Sequence, residues 1–286
     1  MSKSRISVGI IIGLIALGAN FLGGFFWVAL ILSIMLIGHH ELRTLMAGVQ
    51  LKPSQTIVNY SLVLTIVTAT LNYTTGLSAV LHLSIIASFF KLLFRKPRAH
   101  IADIGATLLV VLYIVYLPAH FILLRQLGGV AGMPWFEQPG MYYVLFTIFV
   151  ISASDVGAYY IGKAFGKTPF YPEISPKKTK EGAIGGLLSG IAVGVLFTQL
   201  SATHLTPFHG IVLSILIIVV GQLGDLTESL MKRDGGLKDS GSVLAGHGGI
   251  LDRIDSYIFS GVVCYYYVYW FIMHQGLARE ILNFFS

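Results

Sequence analysis

The stretch "KRDGGLKDSGSVLAGHGGILDRIDS", Lys232 to Ser256, crowds Lys, Arg, His and Asp between two apolar runs. "IVLSILIIVV" (Ile211–Val220) precedes it and "GVVCYYYVYW" (Gly261–Trp270) follows it. In a soluble domain, apolar residues recur with the helix or strand period rather than collecting in long uncharged blocks. Of the 286 residues, 55% are hydrophobic and 11% charged, against about 25% charged in soluble domains. The chain therefore reads as an integral membrane protein, and the charged run as an extramembrane loop joining two spans.

Working outward, and asking for roughly 20 apolar residues per crossing, nine candidate spans lie near 6–22, 24–38, 57–72, 74–93, 102–124, 141–162, 182–201, 207–226 and 254–275. The expected fold is an all-α polytopic membrane protein. Residues 1–130 form an N-terminal region of five spans. Residues 131–286 form a C-terminal catalytic region with polar loops at 163–181 and 226–253. Lys3 and Arg5 precede the first span as in a signal peptide, but no small-residue cleavage site follows and a second span begins at once, so this segment is expected to stay in the mature chain.

Nine spans put the N-terminus and every second loop on one side. That side carries all of the 19 Lys and Arg except Arg125 and Arg279. The positive-inside rule then places the N-terminus and both polar loops in the cytoplasm and the C-terminus outside. The net charge of +6 is thereby a topology signal that requires no nucleic acid, and a basic cytoplasmic face suits anionic membrane lipids. The single cysteine, Cys264, excludes a disulfide framework and a thiolate metal site.

The acids are placed unevenly. Asp155 falls about 14 residues into the sixth span, in its cytoplasmic third, where a carboxylate needs a polar cavity or a partner. Asp225, Ser229 and Lys232 share one helical face at i, i+4 and i+7, and Asp252 and Asp255 share another at i, i+3. For the last two, a helix N-terminus also offers a purely structural role. Carboxylates near the cytoplasmic ends of spans 6, 8 and 9 suit a hard cation such as magnesium, which takes oxygen ligands and is usually held by one or two carboxylates together with substrate phosphates. Lys177, Lys178, Lys180, Lys232, Arg233, Lys238 and Arg253 are available for phosphate oxygens.

Other motifs are set aside. His247 lacks a second His at ligand spacing, and His39-His40-Glu41 lacks a companion motif, which leaves no zinc hydrolase site. "GAYYIGKA" (Gly157–Ala164) imitates a phosphate-binding loop but has Ala164 where Ser or Thr must ligate magnesium, and a membrane helix rather than a strand precedes it. Gly186, Gly190 and Gly194 form a small-residue stripe expected to pack helices, with a second copy of the chain as a candidate partner.

"SLMKRDGGLKDSGSVLAGHGGILDRID" (Ser229–Asp255) resembles the signature of the phosphatidate cytidylyltransferases, the CDP-diacylglycerol synthases, in which S-x-x-K-R, K-D, H-G-G and D-R-x-D recur at this spacing. "SDVGAYYIGKAFGK" (Ser154–Lys167), "ISPKKTKEGAIGG" (Ile174–Gly186) and "GDLTESLMKR" (Gly224–Arg233) are similar to further blocks of that family, so the resemblance covers the C-terminal half. Ala245, Lys180 and Ser154 depart from the usual pattern without removing a metal-ligand candidate.

The resemblance implies that CTP and phosphatidate react to CDP-diacylglycerol and pyrophosphate with magnesium, alone or with a second cation, and a short chain with no transit peptide points to a bacterial inner membrane as the place, with the site facing the cytoplasm. The resemblance also implies Asp225 and Asp252 as magnesium ligands, with Asp155 and Asp239 completing the metal and phosphate site. Lys232, Arg233, Lys238 and Arg253 would balance phosphate charge. Lys177 and Lys178 would hold the lipid phosphate, and His247 would donate to a phosphate or orient a neighbour. A CTP-dependent enzyme on another lipid, either a polyprenol kinase or an isoprenoid-ether cytidylyltransferase, stays open, as does a transporter.

Overall fold

Hydrocarbon offers no hydrogen bonds, so apolar segments that enter it must satisfy their backbone internally, and a helix does this within one segment. The computed structural model describes residues 3–94, 100–130, 132–134, 137–200, 205–241, 243 and 248–273, and each expected span coincides with a helix in it. These are α1 (Lys3–Leu22), α2 (Gly24–Gly48), α3 (Gln55–Thr70), α4 (Thr74–Leu93), α5 (Ile101–Val110), α6 (Leu117–Gln126), α7 (Pro139–Phe165), α8 (Lys180–Phe197), α9 (Pro207–Asp234) and α10 (Leu251–Tyr267). A π-helical turn, Val111–Tyr116, joins α5 to α6 in one rod, and another, Val268–Ile272, continues α10.

Among the described residues, six of these helices are long and apolar enough to cross a membrane: α2, α4, the α5–α6 rod, α7, α8 and α9. The protein is thus a multi-pass helical membrane protein. Among the described residues, the exception to all-α structure is a small antiparallel pair, β1 (Pro169–Tyr171) and β2 (Ser175–Thr179), inside the loop expected at 163–181. Gly23, at φ 62° and ψ −157°, makes the break between α1 and α2, a conformation that L residues with a side chain avoid.

The chain forms two compact units. The first combines Met1–Leu123 with Glu228–Ile254, so the charged loop after α9 belongs with the N-terminal helices rather than with a contiguous C-terminal half. The helix expected to stop at residue 38 runs ten residues further, to Gly48. His39, His40, Glu41 and Arg43 look like the end of a span, but the helix continues because the polar loop packs along it. Gly38 meets Leu251, Glu41 meets Ser240, Ile250 and Leu251, and Gly48 and Leu45 meet Gly235. Those four α2 positions, at steps of three, four and three, lie on one helical face.

The second unit combines Leu124–Thr227 with Asp255–Ser286. Here α8 approaches α7 backbone to backbone: a Cβ on Gly186 would sit 2.7 Å from the Ser154 carbonyl oxygen, and one on Gly182 would sit 2.8 Å from that of Ala158. On α8, Gly190 faces Val150 and Ile218, and Gly194 faces Gly210 and Ser214 of α9. The glycine stripe is therefore spent on contacts inside this chain. Ser260 of α10 donates to the Ile217 carbonyl of α9 at 2.8 Å.

Gly186→Leu should destabilise the detergent-solubilised protein by about 1–3 kcal/mol through overpacking, read as a lowered thermal unfolding midpoint. Gly105→Ala, at a position with open space for a Cβ, should leave that midpoint unchanged or slightly raised.

Candidate active site

In the second unit, the turn after α7 is tied back to the start of α8. Lys180 donates its amide to the Thr168 carbonyl at 2.9 Å, and the Glu181 carboxylate accepts the amides of Lys167 and Thr168 at 3.1 and 3.2 Å. Thr179 caps α8 by accepting the Gly182 amide at 3.1 Å. These bonds fix β2, and with it Lys177 and Lys178, beside the last turns of α7 and the Gln222–Asp225 stretch of α9.

A cavity of about 540 Å³ results. Asp155, Tyr159 and Lys163 line it from α7, Lys177 and Lys178 from β2, and Gln222 and Asp225 from α9. Helical spacing explains the set, since 155, 159 and 163 step by four and 222 and 225 by three. Lys178 forms an ion pair with Asp225, their side chains 31% and 33% exposed. A pair so wetted contributes about 0–1 kcal/mol, so either partner can exchange the other for a phosphate or a cation at little cost.

The donor set suits magnesium held jointly with a substrate: two carboxylates with hard oxygens, and lysines for the phosphate. Among the described residues no cluster of three or more His, Cys, Asp or Glu forms an all-protein metal cage, and magnesium bound with phosphates does not require one.

Asp252 lies in the first unit, in a second polar cluster. Its Oδ1 takes the Lys232 ammonium at 2.5 Å, and its Oδ2 accepts the Ser240 amide at 3.0 Å, the Ser240 hydroxyl at 2.9 Å and the Gly249 amide at 2.8 Å. Burial alone would raise the Asp252 pKa, but Lys232 and the two amides more than reverse it, holding the carboxyl below its usual range. Lys232 also pairs with fully buried Glu228 at 2.5 Å. Gly248 has φ +80°, and a Cβ there would lie 2.7 Å from Asp252 Oδ2, so the loop can wrap this carboxylate only with glycine at that position.

The two magnesium ligands implied by resemblance thus occupy different surroundings. Asp225 lines a cavity, while Asp252 has both oxygens engaged by its own loop and Lys232. Arg233, Lys238, Asp239 and Arg253 are exposed, with Arg233 reaching the Leu237 carbonyl at 3.4 Å. His247 falls outside the described residues.

Sequence reasoning missed Gln222, Tyr159 and above all Glu41. Glu41 is only 2% exposed and accepts the amides of Ile250 and Leu251, each at 2.9 Å, and the Ser240 hydroxyl at 3.1 Å. The available signal was an acid directly following an apolar span, three residues from Gly38 and seven from Gly48 on one helical face.

These features define a membrane-embedded helical protein with a polar cavity suited to phosphate and a hard cation. The chain matches the cytidylyltransferase family over residues 3–271 and belongs to that family. A phosphatidate cytidylyltransferase of Synechocystis sp. is 36% identical over 286 aligned residues, covering 94% of this chain and 97% of the relative. Phosphatidate cytidylyltransferase 5, chloroplastic, of Arabidopsis thaliana is 32% identical, covering 93% and 71%. The Bacillus subtilis phosphatidate cytidylyltransferase is 38% identical over 157 residues, 55% of each chain.

Lys232→Met should destabilise strongly, by about 3–5 kcal/mol, because it leaves buried carboxylates uncompensated. Lys178→Met, which breaks the exposed pair, should cost less than about 1 kcal/mol. Paired unfolding curves check the contrast.

Proposed function

We propose that this protein is a phosphatidate cytidylyltransferase that transfers CMP from CTP to phosphatidate, giving CDP-diacylglycerol and pyrophosphate for phospholipid synthesis. The observation that carries the reading is the cavity where Asp155 and Asp225 face Lys163, Lys177 and Lys178, in a chain similar to phosphatidate cytidylyltransferases over nearly its whole length.

A phosphate oxygen of the lipid attacks the α-phosphorus of CTP, the bond to the bridging oxygen of the β-phosphate breaks, and pyrophosphate departs with that electron pair. Such transfers depend on positioning and charge neutralisation more than on covalent help from the protein. Lys177 and Lys178 hold the lipid phosphate, and Lys163 adds a third ammonium on the same cavity. Asp225 and Asp155 would hold Mg2+, alone or with a second cation, with Lys178 free to turn to phosphate. Bound there, the metal would supply Lewis-acid stabilisation of the charge developing on the leaving pyrophosphate. Arg233, Lys238 and Arg253, exposed on the signature segment, serve the triphosphate. Lys232, Asp239, His247 and Asp252 stand in the same segment and belong with that role.

The chain crosses a bacterial inner membrane nine times, with the N-terminus and the site on the cytoplasmic side. The distribution of Lys and Arg, all but Arg125 and Arg279 on one face under that topology, supports this orientation. A soluble nucleotide and a lipid phosphate meet only at such a boundary.

Purified protein in detergent should release pyrophosphate only with CTP, phosphatidate and Mg2+ together. Asp225→Asn should lower the rate roughly 100-fold or more and Asp155→Asn should raise the Mg2+ requirement, since several kcal/mol of charge stabilisation are lost at about 1.4 kcal/mol per tenfold. Pyrophosphate release at the wild-type rate by Asp225→Asn, or turnover confined to another lipid acceptor, overturns the reading.

A further inference from the structure

We propose that Glu41, on the membrane helix α2, is a positioning residue for the reaction, holding Ser240 and the start of α10 with Asp252 in their working geometry. The inference rests on the cytidylyltransferase reading above and adds a residue outside the C-terminal signature.

Both carboxylate oxygens of Glu41 accept a backbone amide at the start of α10: Oε1 that of Ile250 and Oε2 that of Leu251. A carboxylate at a helix N-terminus is favoured by the dipole and satisfies amides that have no partner within the helix. Glu41 supplies this cap from a position more than 200 residues away in the chain. The loop is shaped to it: a Cβ on Gly241 would lie 2.6 Å from Oε1, and one on Gly249 would lie 2.6 Å from Glu41 Cδ. Glycine at both positions lets the backbone close around one buried carboxylate.

The hold reaches Asp252 through a single hydroxyl. Ser240 Oγ lies 3.1 Å from Glu41 Oε2 and 2.9 Å from Asp252 Oδ2. A serine has one hydroxyl proton, so the two carboxylates share one donor. Asp252 then passes the constraint to Lys232 and through it to Glu228. Glu41 is thus the fixed end of a chain of contacts that sets both the rotamer of Asp252 and the placing of the Lys232 ammonium, while Lys238 and Asp239 ride on the strap between them.

Glutamine cannot replace Glu41 here. In either orientation its amide NH2 faces a backbone N–H, donor against donor, whereas aspartate keeps two acceptors and is only shorter. Kinetics should therefore separate positioning from simple anchoring. In Glu41→Gln, kcat should fall about 10–100-fold, the usual cost of losing an orienting partner behind a functional group. The KM for phosphatidate, whose phosphate the Lys177–Lys178 pair holds, should stay within about twofold. Glu41→Asp should recover part of kcat.

Hydrogen exchange at the Ile250 and Leu251 amides should rise at least about tenfold in Glu41→Gln. This readout needs no turnover, so an inactive wild type would sink the proposed function while still testing the hold of Glu41 on the loop. Unchanged exchange, or raised exchange with unchanged kcat, overturns the positioning role. Should Glu41→Gln fail to fold, Ser240→Ala leaves both capping amides in place and removes only the hydroxyl link. It should lower kcat with little change in the phosphatidate KM, and an unaltered kcat contradicts the proposal.

Discussion

A carboxylate set against apolar helices keeps its charge only if donors or a counter-charge meet it there, and each polar feature of this protein follows from that constraint. Glu41 is met by two amides and a hydroxyl. Asp252 is met by two amides, the same hydroxyl and Lys232, and Glu228 is met by Lys232. Asp225 is met by Lys178 in a half-wetted pair. The first three sets are buried and dense, and hold a loop in one shape. The last is open and exchangeable, as a binding site must be.

Glycine makes both arrangements compatible with helices. Along α8, Gly182, Gly186 and Gly190 bring the α7 backbone within contact distance, which sets the spacing of the walls that carry Asp155 and the β2 lysines. Along α2, Gly38 and Gly48 flank Glu41 and let Leu251 and Gly235 lie against the helix. In both units, small residues on one face of a membrane helix remove bulk where polar backbone must approach, and long apolar side chains on the other faces are left for lipid.

Much of this was legible from the chain. The apolar blocks located the helices, because their length is dictated by the membrane, and Asp155, Asp225, Lys177 and Lys178 were singled out as charged groups that a membrane boundary must accommodate, whereas Tyr159 and Gln222 became visible only once the cavity brought them together. What escaped depended on pairing across the chain. The end of α2 was misread because a polar tetrad looks like a terminus unless its docking partner, two hundred residues away, is known. The β1–β2 pair was hidden in a loop rich in Pro and Lys, whose register is set by the ends of α7 and α8. The glycine stripe on α8 announced close packing but not which helix would fill it. Asp252 read as a metal ligand by resemblance, yet its immediate role, held by Ser240, Gly249 and Lys232, appears only in three dimensions.

The family places the chain among cytidylyltransferases, and the cavity gives that membership a physical site. The decisive measurement follows the fate of individual phosphorus atoms of CTP. Purified protein is given phosphatidate, Mg2+ and CTP labelled either at the α- or at the γ-phosphate. The account predicts α-label in the lipid product and γ-label in pyrophosphate. Recovery of the γ-label in the lipid, with CDP released, would contradict it and make the same cavity the site of a kinase.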